Sequence, residues 1–337
     1  MKKFIFIFLS LFFSIKSISQ EKKKIDIKNA DFTFINNEIH PDYWRLIGNV
    51  NIFHNETDMF CDSAYYFSKK EKIIAFNNVK IIKGDSINLY GEKLNYDGEK
   101  NLAVISKNVI FKNKKSNLKS NELKFNIKDD KIFYDSRSRI IRENEDIQSN
   151  KGIYYVNEKK YQFLDSVIYK SNRYTLKTNN LIQNENNNLA KLIGPSYIYL
   201  DDKTIFCEEG YIYNNTAEFF KNPYIKTNNF KITADSLYYE NILKKIQALG
   251  NVIMTDTINN MIINGKEADF FEKEEKMIFK KNPNLSLASD LDTLVISANV
   301  FENFKIEGNT FINAYSKVKF TNNNLIGKCD SLCYNIS

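Results

Sequence analysis

The feature that most restricts the fold of this chain is a pattern stated twice between Arg45 and Tyr96 and then repeated to the end. Within RLIGNVNIFHNETDMFCDSAYYFSKKEKIIAFNNVKIIKGDSINLYGEKLNY, the steps Asn49-Val50 and Asn78-Val79 each open a run rich in β-branched residues. A second apolar run carrying an acid follows each, at Cys61-Asp62 and at Gly91-Glu92, and ends on Tyr66 or Tyr96. Branched and aromatic side chains pack well on a pleated surface, whereas Asn, Asp and Gly supply turn backbone. The stretch therefore reads as two hairpin-like units in tandem.

Laid over the whole chain, the pattern becomes apolar, any, small, acid or amide, any, apolar, any, aromatic. The acid-or-amide slot falls at Asp62, Glu92, Asn121, Lys151, Asn179, Glu209, Asp235, Lys266, Asn299 and Asp330, a spacing of 26 to 33 residues over ten units. Each unit has room for two strands of about eight to ten residues and almost none for a helix. The chain is thus expected to be all-β, one elongated repeat domain over 20–337. The Asn-Val step recurs at Asn108-Val109 and Asn251-Val252, and becomes Asn-Pro at Asn222-Pro223 and Asn282-Pro283. Proline lacks a ladder donor, so it predicts a strand start or edge there.

The repeat also carries a mechanical signal. Ile87, Leu89 and Gly91 share one parity, but Leu94 and Tyr96 share the other; Ile232 and Ala234 stand in the same relation to Leu237 and Tyr239. A strand shows one face every second residue, so a flip at a fixed slot calls for a bulge or bend. The acid slot is expected to mark that bend, its short polar side chain bonding backbone amides left unpaired at the kink.

Met1–Gln20 has Lys2 and Lys3, an apolar run from Phe4 to Phe13, and Ser17-Ile18-Ser19 as a small-x-small cleavage site. That order is the order of a secretory signal peptide over 1–19, and the run is half of the roughly 20 residues needed to span a bilayer. No later segment is long and apolar enough to span, so export to a soluble state is expected. The formal charge of +7 falls to about +4 without Lys2, Lys3 and Lys16, with Lys and Glu scattered along the turns. This is a solvated surface and not a nucleic-acid patch. Cys329 and Cys333 are four apart in a strand-like run, roughly 13 Å between Cα atoms, too far for a disulfide. Cys61 and Cys329 fill the small slot of the repeat, as small buried residues.

Catalytic signals are thin: two histidines, His40 and His54, and no nucleophile elbow, phosphate-binding glycine loop or zinc-binding helix motif. His54, Asp58 and Cys61 lack the four-ligand spacing of a structural metal site, and His54 reads as a solvated turn residue. No enzyme activity, cofactor or metal is expected. Acids one unit apart form a ladder and not a catalytic pair, although a β-helical polysaccharide enzyme and an exported adhesin-like repeat protein remain alternatives.

Tandem units of Gly-Asn-Val-x-Ile followed by small-Asp-x-apolar-x-Tyr, behind a signal peptide, resemble the organic-solvent-tolerance (OstA-like) family. The residues that carry the resemblance are Gly48–Ile52, Cys61–Tyr66, Asn78-Val79 with Gly84-Asp85-Ser86, Gly91–Asp97, Ala234–Tyr239 and Gly250-Asn251-Val252. It is clearest over 45–135 and 231–273. The resemblance implies an open, folded-over antiparallel β-jellyroll in the periplasm whose interior holds the acyl chains of lipopolysaccharide, on the way from inner to outer membrane. Ile87, Leu89, Leu94, Ile232 and Leu237 are the expected groove lining. The strand from Leu325 to Tyr334, with Leu332, is the expected docking edge, either for other β-jellyroll components of lipopolysaccharide transport at the two membranes or for head-to-tail self-association.

Overall fold

The computed structural model describes residues 24–36, 42–289, 292–306 and 309–336. The expected signal peptide and His40 lie outside these residues. The described chain is an antiparallel sheet of 28 strands that does not close into a barrel. Its helical content is two short 3-10 turns, Ser68–Lys70 and Glu272–Glu274.

The long strands are bent in the middle. Trp44–His54, Thr57–Phe67, Lys72–Lys83, Ile87–Asp97 and Leu102–Lys112 each pair with their chain neighbours. In every such ladder the register skips once, between Ile47 and Val50, Phe60 and Ser63, Phe76 and Val79, and Tyr90 and Lys93. At the skip, alternate strands place two consecutive residues at positive φ: Gly48 and Asn49 (76° and 44°), Asn77 and Asn78 (60° and 49°), Gly250 and Asn251 (73° and 42°). Glycine and asparagine enter this left-handed region at the lowest cost among L-residues. The Asn-Val step is therefore a corner inside a strand: Asn completes the corner and Val is the first residue beyond it. This corrects the expectation that the step opens a strand. Where proline follows the corner the strand does break, into Thr216–Phe220 and Tyr224–Lys226, and again into Lys276–Lys280 and Asn284–Ala288.

The corners line up and fold the sheet into two walls. Residues 44–47 pair with 63–66 in the first wall, and 50–54 pair with 57–61 in the second. The parity flip at Leu89 and Leu94 keeps both side chains inside across the corner, and both are buried. One apolar cluster runs between the walls from Ile25 to Val318. The architecture is that of the elongated, folded-over jellyroll.

Side chains tie the corners. Asn78 Nδ2 donates to Asp62 Oδ2 at 2.9 Å, Asn251 Nδ2 to Asp235 Oδ2 at 3.0 Å, and Asn108 donates to Glu92. The slot acid thus accepts from a side-chain amide on the adjoining strand, which corrects the expected backbone-amide partner. Asn49 Nδ2 likewise donates to Asp31 Oδ2 at 2.9 Å. Asp31 is a further slot residue ahead of the ten. It sits between Asp26–Asn29, paired with 51–53 in the second wall, and Phe32–Phe34, paired with 45–47 in the first.

Candidate functional site

The hairpin turns of the two walls face each other as lips across the mouth of the fold, opposite the corners. Polar side chains cross it. Lys83 from the second wall donates to the Ile127 carbonyl at 2.7 Å and pairs with Asp130 of the first. Ser116 Oγ lies 2.7 Å from the Tyr161 hydroxyl, which also accepts from Asn113 Nδ2 at 3.2 Å. Further along, Arg142 donates to Gln183 at 3.0 Å and lies over the Tyr161 ring, Arg173 donates to the Asn214 carbonyl at 3.1 Å, and Lys203 pairs with Glu272 at 2.9 Å. Lys203 is the most enclosed of these cations, its side chain 5% exposed. Burial by itself would lower its pKa, but the bonds to Glu272 and Asp202 outweigh that and raise it.

Ile87, Leu89, Leu94, Ile232 and Leu237 all point into the interior and are at most 3% exposed. Ile87, Leu89 and Ile232 belong to the second wall, and Leu94 and Leu237 to the first. Around Leu46, Ile52, Ile73 and Ile81 the interior is filled by the protein's own side chains. It opens in the middle of the chain. One cavity of about 460 Å³ lies between the lips, with Asn172–Tyr174 and Lys203 on one side and Tyr213–Thr216, Lys244 and Glu272 on the other. Its floor is apolar core: Ile198, Ile205, Ala217 and Phe219. A second, of about 460 Å³, adjoins it across Arg173, Tyr174 and Asn214 and reaches Arg142 and Glu185. Arg142 Nε and Nη2 and Glu185 Oε1 are buried and have no hydrogen-bond partner among the described residues. Buried polar atoms of that kind cost free energy until something bonds them.

The expected docking strand is observed as Ile326–Asn335, paired on one side with Asn309–Thr321. Leu325 lies in the turn before it and is exposed. Leu332 and Tyr334 line a cavity of about 560 Å³ with Leu287, Leu294, Phe320 and Ile336, at this end of the interior. Among the described residues no strand covers the outer edge of Ile326–Asn335.

Two sequence readings need correcting. His54 is not a solvated turn histidine: it is 3% exposed and bonds the Tyr96 hydroxyl across the walls. Asp58 pairs with Lys28 at 3.3 Å, and among the described residues His54, Asp58 and Cys61 form no cluster that could hold a metal ion. Cys329 is half-buried and not enclosed like Cys61, because it lies on the end strand. All four cysteines are free. The lip residues Lys83, Arg142, Arg173 and Lys203 were missed. They sit in turns or at the strand ends beside them, outside the periodic slots, where a latch residue and a solvated one look alike.

The fold is thus a two-walled antiparallel jellyroll, apolar within and latched by polar groups along its mouth. Residues 22–179 match the model of a family described as OstA-like protein. It is a transport and binding family of the lipopolysaccharide-transport type and not an enzymatic one. The match covers the first of the two clearest stretches of resemblance, 45–135; the second, 231–273, lies outside it. No curated protein matches the chain.

Proposed function

We propose that the protein is an exported periplasmic carrier that holds the acyl chains of lipopolysaccharide between its walls and bridges inner to outer membrane. The observation that supports this best is the continuous apolar interior, reached between the lips at the cavity floored by Ile198, Ile205 and Phe219. Each methylene kept from water is worth about 0.8 kcal/mol, so a 12-carbon chain left exposed costs on the order of 10 kcal/mol. A lipid with several chains needs cover along its whole path, which stacked units supply and a single pocket does not. Partners are other β-jellyroll components of the same transport, joined through the edge at Ile326–Asn335.

Where the protein's own side chains fill the interior, lipid enters only if the walls part. A structural repeat protein draws its support from that same filling. A photo-crosslinking residue at Leu89 or Leu237, with radiolabelled lipopolysaccharide in cells, separates the two readings. Labelled adducts at both positions support the carrier. Their absence at both, with folding intact, leaves the structural repeat.

A further inference from the structure

On the outer faces of the walls, aromatic rings are repeatedly roofed by a lysine from a neighbouring strand. Lys80 lies 6.0 Å from the ring centroids of both Phe60 and Tyr90, and Lys191 lies 5.3 Å from Tyr211. Between Thr175 and Lys231 the second wall carries four rings in a row, with a lysine over each of the two outermost. Tyr197 lies beside Tyr199 on one strand, 6.4 Å away and within 16° of parallel. Opposite Tyr197 stands Phe206 at 5.0 Å, and opposite Phe206 stands Tyr224, again at 5.0 Å and within 19° of parallel. Ile198, Ile205 and Ile225 alternate with these residues and are buried, so all four rings lie on the outside. Tyr197 and Tyr199 are 37% and 38% exposed. The row ends in lysine at both sides, Lys177 at 5.4 Å from Tyr199 and Lys231 at 4.3 Å from Tyr224. The outer-face rings of Tyr43, Tyr65 and Phe76 differ, since they meet edge to face, at 75° and 84°.

We propose that the row Tyr199, Tyr197, Phe206 and Tyr224 is a binding platform for an acidic oligosaccharide. A pyranose carries one face of C–H groups and a rim of hydroxyls. C–H groups over an aromatic face attract weakly one by one, and adjacent rings in a row let successive sugars add their contributions. The three tyrosine hydroxyls can donate to or accept from the sugar rim. Burial, and then Tyr197 and Tyr199, raise the Tyr224 hydroxyl pKa, as expected of hydroxyls gathered in one place. Lys177 and Lys231 at the two ends supply charge for carboxylates or phosphates on the sugar, and so select acidic over neutral chains. The rings already stand on a rigid sheet, so little ordering is lost on binding. The platform is outside the second wall and does not rest on the lipid reading of the interior.

The test uses the purified full chain, amide nuclear magnetic resonance shifts, and two probes, trigalacturonic acid and the neutral maltotriose. Trigalacturonate at millimolar concentration should shift the amides around Tyr197, Phe206 and Tyr224 saturably, and salt should weaken it. The double variant Tyr197→Ala, Tyr199→Ala should weaken binding about tenfold, equivalent to about 1.4 kcal/mol. The double variant Lys177→Gln, Lys231→Gln should weaken trigalacturonate and leave maltotriose unchanged. Because the altered side chains are on the surface, circular dichroism should match the native protein. No saturable shift with trigalacturonate, or undiminished binding by the folded ring variant, would overturn the proposal. Shifts at this row from an apolar dye with none from either sugar would do the same and point to an apolar partner.

Discussion

Asn78 and Asp62 meet across adjoining strands at the corner of the fold, the side-chain amide donating to the carboxylate at 2.9 Å. The same pair recurs at Asn251 and Asp235 and at Asn49 and Asp31, so one bond repeats along the spine from which both walls hang. It does two things at one place: it ties neighbouring strands, and it holds a residue at positive φ.

Those two roles can be separated. Asp62→Ala removes the acceptor alone, and should cost about 1 kcal/mol, since the pair is exposed. Asn78→Gly removes the donor but keeps a residue suited to φ of 49°, whereas Asn78→Ala also forces an alanine into the left-handed region. Asn78→Ala should therefore be the worse by about 1 kcal/mol. Urea denaturation of the three variants checks the order; equal losses for glycine and alanine would show that the backbone contributes nothing.

How much of this was legible follows from what repeats. The slot acids, the parity flip between Leu89 and Leu94 and the small residue before most of the acids recur every 26 to 33 residues, so all-β repeats and a bend could be read directly. The nature of the bend could not, because Asn78 followed by Val looks the same whether it starts a strand or turns one. Asp31 escaped because its half-unit lacks the usual apolar flank. The lip contacts could not be read at all: Lys203 meets Glu272 only once the walls are folded together, far apart along the chain.

The Lys203–Glu272 latch gives a pH prediction. Its lysine pKa is raised in the folded state, so the stabilisation is complete below the ordinary lysine value of about 10.4 and is lost as pH rises through the folded value. Hydrogen exchange at 204–212 and 272–275 should quicken at strongly alkaline pH in the native protein. Lys203→Met strands the mostly buried Glu272 carboxylate and should cost about 3 kcal/mol, with fast exchange there already at neutral pH. An unaltered exchange pattern in Lys203→Met would show that the lips are held shut elsewhere.

Asp269 predicts the opposite limb. Burial works to raise its carboxyl pKa, but Lys280 at 2.7 Å and Lys245 at 2.9 Å outweigh it and hold the carboxyl below the ordinary range. A depressed carboxylate contributes stability above its unfolded value of about 3.9, which is lost as pH falls through the folded value. Asp269→Asn should lower the neutral-pH stability by about 1 kcal/mol and flatten the acid limb of a melting-temperature profile. A variant profile parallel to that of the native protein would contradict this.

Leu89 and Leu237 test the interior. Both are enclosed, one in each wall, and an aspartate at either would bury an unpaired charge. Leu89→Asp and Leu237→Asp should abolish lipopolysaccharide crosslinking from other interior positions. Part of that loss is unfolding, so Leu89→Ala and Leu237→Ala run beside them, each costing about 2–5 kcal/mol without adding charge. Intact folding with undiminished lipid binding in both aspartate variants would remove these residues from the groove.

The strand Ile326–Asn335 sets the final prediction. An edge strand with open donors and acceptors pairs with another chain unless something blocks it. This edge carries Ile326, 81% exposed, and adjoins the apolar cavity lined by Leu332 and Tyr334, so a partner strand laid along it would satisfy backbone groups and extend the interior together. Neighbouring residues on a strand direct their amides to opposite edges. Ser331 pairs with Tyr315 and Leu332 with Ala314, so of Ser331→Pro and Leu332→Pro one removes a donor to the existing ladder and the other a donor to the open edge. One variant should lose local protection on Asn309–Thr321. The other should keep that protection and lower self-association, or pull-down of a jellyroll partner, at equal protein concentration, with the walls from Trp44 to Asn184 folded in both. If neither proline changes association, while hydrogen exchange shows the outer edge open to solvent, then docking at this edge is excluded.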